Sequence, residues 1–187
     1  MNKLMLLLTL IAGTAQAAIP GMRGPDHLGV TVPDLKQATT FFTEVMGCRA
    51  FFEMGPFKDA EGSWMADNLN VDPRAEITVL NMMRCGNGSN LELFEYKAED
   101  QNPVVPRNSD IGGHHLAFYV EEMDAAVAYL KRHNLKIQGE PKTMTEGPNA
   151  GVTWVYFLSP WGMQLELVSY PDGQGYEKVT SERLFKP

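Results

Sequence analysis

The sequence predicts an α+β fold built from two tandem βαβββ modules, and three observations carry that prediction. A strand-like segment, His27-Leu-Gly-Val-Thr-Val32, returns as His115-Leu-Ala-Phe-Tyr-Val120. Each copy leads into a stretch with apolar residues at helical spacing. Each half also carries a matching strand near its end, Asn90-Leu-Glu-Leu-Phe94 against Gln164-Leu-Glu-Leu-Val168.

The first residues stand outside the repeat. Lys3, the apolar run Leu4 to Ala12 and then Ala15-Gln-Ala17 have the layout of a secretory signal peptide. Residues 1–17 are expected to be removed, leaving 18–187 as the mature chain in a periplasmic or secreted location. The apolar run is too short for a membrane span, and no later segment is apolar for long enough.

Module one is expected over about 25–97. In its first strand Leu28, Val30 and Val32 share one face, and His27, Gly29 and Thr31 share the other. A helix follows from Asp34 to Met46, with Leu35, Ala38, Phe41, Phe42 and Val45 on its apolar stripe, Asp34 as N-cap and Gly47 as stop. Further strands are expected at 50–53, 77–83 and 90–96. The excursion from Gly55 to Pro73 carries Phe57 and Trp64 and reads as a structured flap. Lys97 to Gly112, rich in Asn, Pro and acid, is the linker.

Module two is expected over about 112–170. Its first strand opposes Leu116, Phe118 and Val120 to His115, Ala117 and Tyr119. The helix from Met123 to His133 has Met123, Ala126, Val127 and Leu130 at helical spacing, and His133 at its end complements the helix dipole. Strands are expected at 137–139, 152–158 and 163–169. Between them Gly139 to Gly151 is either a loop over the pocket or a surface connection.

Composition narrows the function. The 187 residues carry 16 Lys+Arg against 23 Asp+Glu, a formal charge of -7, and no basic cluster suited to a phosphate backbone, which excludes nucleic acid as partner. A hydrophobic fraction of 44% with 21% charged residues is that of a folded chain. Cys48 and Cys85 are the only cysteines, too few for a four-thiolate zinc site. In an oxidising compartment they are either bonded to each other or two buried thiols.

The chemistry follows from the faces. Leu91 and Leu93 oppose Glu92, and Leu165 and Leu167 oppose Glu166. The side away from the helices therefore gathers His27, Glu92, His115 and Glu166 from repeat-equivalent positions. Carboxylates buried without partners cost several kcal/mol, in the ~2–7 kcal/mol range for an unpaired polar group or beyond it. A divalent metal resolves this, and two imidazoles with two carboxylates suit Ni, Zn, Co, Mn or Fe(II). His114, on the opposite face by alternation, is given a structural role.

These motifs resemble the vicinal oxygen chelate superfamily, which includes glyoxalase I, methylmalonyl-CoA epimerase, extradiol dioxygenases and bleomycin and fosfomycin resistance proteins. The residues that carry the resemblance are Asp26-His27-Leu-Gly-Val-Thr-Val-Pro-Asp34, Asn90-Leu-Glu92-Leu-Phe94, Gly113-His114-His115-Leu-Ala-Phe118 and Ser159-Pro-Trp-Gly-Met-Gln-Leu-Glu166-Leu-Val168. It implies a cupped, eight-stranded mixed sheet around a metal held by His27, Glu92, His115 and Glu166, binding two neighbouring oxygens of a small-molecule substrate. The His-Glu-His-Glu set is most similar to glyoxalase I. It implies isomerase or lyase chemistry through an enediolate, with Glu166 first, and Glu92 second, as the carboxylate that moves a proton. Two positions depart from short bacterial glyoxalase I. Thr31 stands where that enzyme has an Arg for the glutathione carboxylate, and Tyr96 where it has an Asn. An extradiol-type dioxygenase, with Thr31, Phe94, Tyr119, Trp154 and Tyr156 lining an uncharged pocket, and a non-catalytic binding or resistance protein are the alternatives. The modules pair within one chain or exchange between two, so a homodimer is among the expected assemblies.

Overall fold

The computed structural model describes residues 19–187; the expected signal peptide, 1–17, lies outside them. All eight expected strands form, four to a sheet. The first sheet holds β1 (His27–Thr31), β2 (Arg49–Met54), β3 (Glu76–Arg84) and β4 (Asn90–Lys97) in the order β1-β4-β3-β2. The second holds β5 (Leu116–Tyr119), β6 (Lys136–Thr143), β7 (Thr153–Leu158) and β8 (Gln164–Ser169) in the order β5-β8-β7-β6. In both, the first strand runs parallel to the last and the other pairs are antiparallel. The sequence repeat is therefore a repeat of topology, and β1 and β5 are both sheet edges.

The first helix starts as expected. The Asp34 carboxylate accepts the Gln37 N–H at 2.8 Å, satisfying one of the amides that a helix start leaves without a partner. It does not run uninterrupted to Met46. After α1 (Leu35–Thr40) the backbone widens to a π-helical turn, Phe41–Val45. Phe41 and Phe42 are both buried, and an ordinary helix turns about 100° per residue, so the widened turn lets adjacent large rings share the core side.

In the second module α3 (Met123–Arg132) buries Met123, Val127 and Leu130. His133 ends it, its ring packed on Tyr129 at 4.4 Å between centroids.

The excursion in module one is ordered by its own hydrogen bonds. The Asp59 carboxylate accepts the backbone N–H groups of Glu61, Gly62 and Trp64, which hold its carboxyl below the usual carboxylate range. A short helix, α2 (Trp64–Leu69), follows, and Phe57 forms a bridge to Ile77. Met65 is buried with Ala75, Ile77 and Leu80 in a small cluster of their own.

The segment from Gly139 to Gly151 differs from both expectations in its first part, which belongs to β6. The register of β6 on β7 shifts between Gln138 and Lys142, with Gly139 at φ 82°. Pro141 is tolerated here because β6 is an edge strand with a bulge, where a missing N–H costs little. The remainder turns back into β7, with the Gly151 N–H bonded to the Met144 carbonyl at 2.9 Å.

Cys48 and Cys85 form a disulfide. They continue the β2–β3 ladder one step past the Arg49–Arg84 pair, so the pairing of the strands brings them together.

The helix-facing sides of both sheets and both long helices share one core, from Val30, Phe42 and Leu93 in module one to Val127, Phe157 and Leu165 in module two. Phe41 and Phe42 meet Trp161, and the Tyr129 hydroxyl donates to the Val45 carbonyl at 3.1 Å. Burying a Phe such as Phe42 or Phe157 contributes roughly 1.5–3 kcal/mol relative to leaving it in water. The modules are thus joined through their helix sides; the opposite face of the first sheet is partly covered by the excursion, through Met65 on Ile77 and Leu80, and keeps His27 and Glu92 beyond that cover.

Candidate metal centre

The parallel register of β1 on β4 sets Gly29 against Glu92 and His27 against Asn90. His27 and Glu92 consequently project from the same face, with Nε2 and Oε2 3.2 Å apart. The other ring nitrogen, Nδ1, donates to the Asp26 carboxylate at 2.9 Å. That hydrogen bond, aided by the charge of Glu92, raises the His27 pKa above the ordinary imidazole value against an opposing effect of burial. Met82 lies across from Glu92 and Phe52 across from Met82, making an apolar row beside the carboxylate.

The second module repeats this geometry. His115 precedes β5, Ala117 pairs with Glu166, and His115 Nε2 lies 3.0 Å from Glu166 Oε2. The Glu166 side chain is 14% exposed, and this burial raises its pKa although neighbouring His115 works in the other direction. Tyr156 pairs with Glu166 across β7 and β8, and its ring meets His115 edge-on at 5.1 Å. Burial and the Glu166 charge raise the Tyr156 phenol above its ordinary value.

The structure brings the four sequence-chosen residues together as two pairs, His27 with Glu92 and His115 with Glu166. Among the described residues no three His, Cys, Asp or Glu side chains converge as a metal-binding group. The reason lies in the packing: the modules share a core through their helix sides, and the two pairs stand on the faces that do not enter it. Each pair supplies one imidazole nitrogen and one carboxylate oxygen. Among the described residues no Lys or Arg forms an ion pair with either Glu92 or Glu166. Two such pairs brought face to face make a four-donor, doubly anionic set, which fits a divalent cation of the Zn, Ni or Fe(II) type. His114 is exposed, and its Nδ1 contacts the Gly112 carbonyl at 3.1 Å.

Asp26 is a neighbour of the candidate site that the pattern of faces did not single out, because it precedes the strand and belongs to no alternation. A carboxylate on the far nitrogen of a metal-binding imidazole fixes the ring and its tautomer. Module two has His114 at the equivalent place, so the repeat itself marks the asymmetry. Of the expected aromatic lining, Trp154 stacks near Tyr156 at 5.2 Å, Phe94 near Tyr96 at 5.6 Å, and Tyr119 near Tyr170 at 4.9 Å.

Comparison with known proteins adds the following. A family model described as the glyoxalase/bleomycin resistance protein/dioxygenase superfamily matches residues 26–152. The chain is 49% identical over 170 residues to a 2-epi-5-epi-valiolone epimerase from an Actinomyces species, covering 90% of this chain and 91% of that one. Among solved structures, the trypanothione-dependent glyoxalase I of Leishmania major is similar with a TM-score of 0.53 and 20% identity, over 84% of this chain and 93% of that one. The fosfomycin resistance protein FosX of Listeria monocytogenes is similar with a TM-score of 0.53 and 13% identity, over 84% and 98%. Both structural likenesses concern the fold.

Proposed function

Because the chain belongs to the glyoxalase/bleomycin resistance protein/dioxygenase superfamily, we propose that it is an exported, metal-dependent isomerase that moves a proton at a carbon beside a carbonyl group. The observation that carries this reading is the pair of His–Glu contacts at repeat-equivalent positions, 3.2 and 3.0 Å, neither of which holds enough donors alone. We assign the metal to His27 and Glu92 of one copy with His115 and Glu166 of a second. By two-fold symmetry a dimer then has two identical sites.

A divalent ion held by these four ligands would supply Lewis acidity to the oxygens of the substrate. The protein's own residues supply the rest. Glu166, withdrawn from water, accepts the proton from one face of the carbon next to the carbonyl, and inversion is completed by a proton delivered to the opposite face. Proton transfer by a positioned carboxylate contributes about 10²–10⁴-fold. Glu92 is the second carboxylate on the opposite side, and Asp26 keeps His27 oriented. The 49% identity to an epimerase supports inversion of a stereocentre over lyase or oxygenase chemistry.

The test is isotope exchange. The metal-loaded protein incubated in D2O with 2-epi-5-epi-valiolone is expected to place deuterium beside the carbonyl and to form the epimer, both visible by proton NMR. Glu166→Gln is expected to slow exchange by about 10²–10⁴-fold. Absence of exchange with every divalent metal tried would remove the isomerase reading.

A further inference from the structure

The C-terminal segment lies on the face that carries the second His–Glu pair. Ala117 pairs with Glu166 and Tyr119 with Val168, so alternation puts His115, Tyr119, Glu166 and Tyr170 on one side of the second sheet. The Tyr119 and Tyr170 rings meet edge-on at 4.9 Å. Over both of them sits the Lys186 ammonium, 4.8 Å from the Tyr119 centroid and 5.3 Å from that of Tyr170. Hydrogen bonding to the Tyr119 hydroxyl raises the Lys186 pKa above the ordinary lysine value. Pro187 reaches the wall of a cavity of about 450 Å³ that is also lined by Leu28 of β1 and Asn90 of β4. The segment therefore crosses the end of β5, an edge strand, toward the first module.

Polar contacts guide it there. The turn Gly175–Lys178 is fixed on the preceding loop, with the Gly175 N–H on the Ala150 carbonyl at 2.9 Å and the Tyr176 N–H on the Pro148 carbonyl at 2.8 Å. From that turn the Tyr176 hydroxyl accepts the Leu184 N–H at 2.8 Å, and Glu177 pairs with Arg183 at 3.5 Å. Apolar burial adds little, since Val179, Leu184 and Phe185 are exposed. A segment held by a few exposed polar and cation–π contacts opens easily. In a site shared by two copies, the His27–Glu92 pair of the second copy must come onto this same face, where the segment already lies. Resting on the shared metal site above, we propose that residues 180–187 are an autoinhibitory strap. Clasped by Lys186 on Tyr119 and Tyr170, it competes with the second copy and has to lift before the four ligands meet.

The experiment uses the full chain with three changes. Lys186→Met keeps the reach of the side chain and removes its charge, Lys186→Arg keeps the charge, and Tyr176→Phe removes the hydroxyl that holds Leu184. Trypsin cuts after Arg183, and where opening is fast the rate of cutting follows the open fraction. Release of the peptide Leu184–Pro187 is read by mass spectrometry. Lys186→Met and Tyr176→Phe are each expected to speed release about 2–5-fold, and Lys186→Arg to restore the parent rate. Dimerisation is read by sedimentation with zinc present. A dimer lifts two straps, so Lys186→Met is expected to tighten its Kd by about 4–25-fold. Unchanged release in both Lys186→Met and Tyr176→Phe overturns the clasp. Faster release with an unchanged or weaker Kd overturns the competition. If release quickens while no variant, the parent included, dimerises or takes up zinc, the shared metal site falls and the competition with it, and the clasp alone stands.

Discussion

His27 shows how far one side chain depends on its neighbours. Its Nδ1 is tied to Asp26 and its Nε2 faces Glu92, so the nitrogen turned toward Glu92 is the one left for the proposed metal. The same Asp26 raises the His27 pKa, and a proton competes with the metal for Nε2. Metal affinity is therefore expected to fall as pH drops, beginning at a higher pH than for an imidazole without such a partner. Asp26→Asn removes the charge, so that fall moves to lower pH. The same change loosens the ring and lowers affinity at alkaline pH by about 10–100-fold. Competition titration with a chelator across pH 5–9 measures both effects. An unshifted profile with unchanged affinity would show that Asp26 plays no part. Alternation along strands made His27, Glu92, His115 and Glu166 legible in the sequence. Asp26 was not, because a residue before the strand has no assigned face until the chain is folded.

The elements were legible wherever a local pattern decided them. Eight strands and α3 follow from period-2 and helical spacing, Asp34 caps its helix with its side chain as its chemistry predicts, and His133 stands at the end of α3. The π-helical turn at Phe41–Val45 was not legible, since it answers to the burial of two adjacent rings against Trp161 in the other module. Nor was the bulge of β6 at Gly139 to Pro141, which depends on that strand being an edge. The disulfide was legible only as one of two options until the β2–β3 register placed Cys48 across from Cys85. It closes a separation of 37 residues that includes the whole excursion. Replacing both cysteines by serine is expected to cost about 2–4 kcal/mol. A urea titration checks this, with the parent protein under reductant showing the same lowered midpoint. An unchanged midpoint would mean that the strand ladder alone holds this end of the sheet.

At the scale of the molecule, the helix-side core joins the modules and leaves each His–Glu pair on an outer face. The repeat predicted four ligands but said nothing of which module faces which, because a repeat fixes each unit's internal geometry and leaves the docking to the helix surfaces. β2 is an edge strand exposed along its length, with Phe51, Phe52 and Met54 open to solvent. An apolar edge of this kind is a ready contact for another chain. A metal site shared between two copies has a direct test. His27→Ala and His115→Ala each remove one ligand from every site of their own dimers, so each protein alone is expected to lose tight metal binding. After the two are mixed and allowed to exchange subunits, half of the dimers are mixed. Each mixed dimer has one site carrying both changes and one site carrying neither, so metal occupancy and isotope exchange are expected to return to about a quarter of the unmodified level. A mixture that stays as empty and inactive as its two components would contradict the shared site.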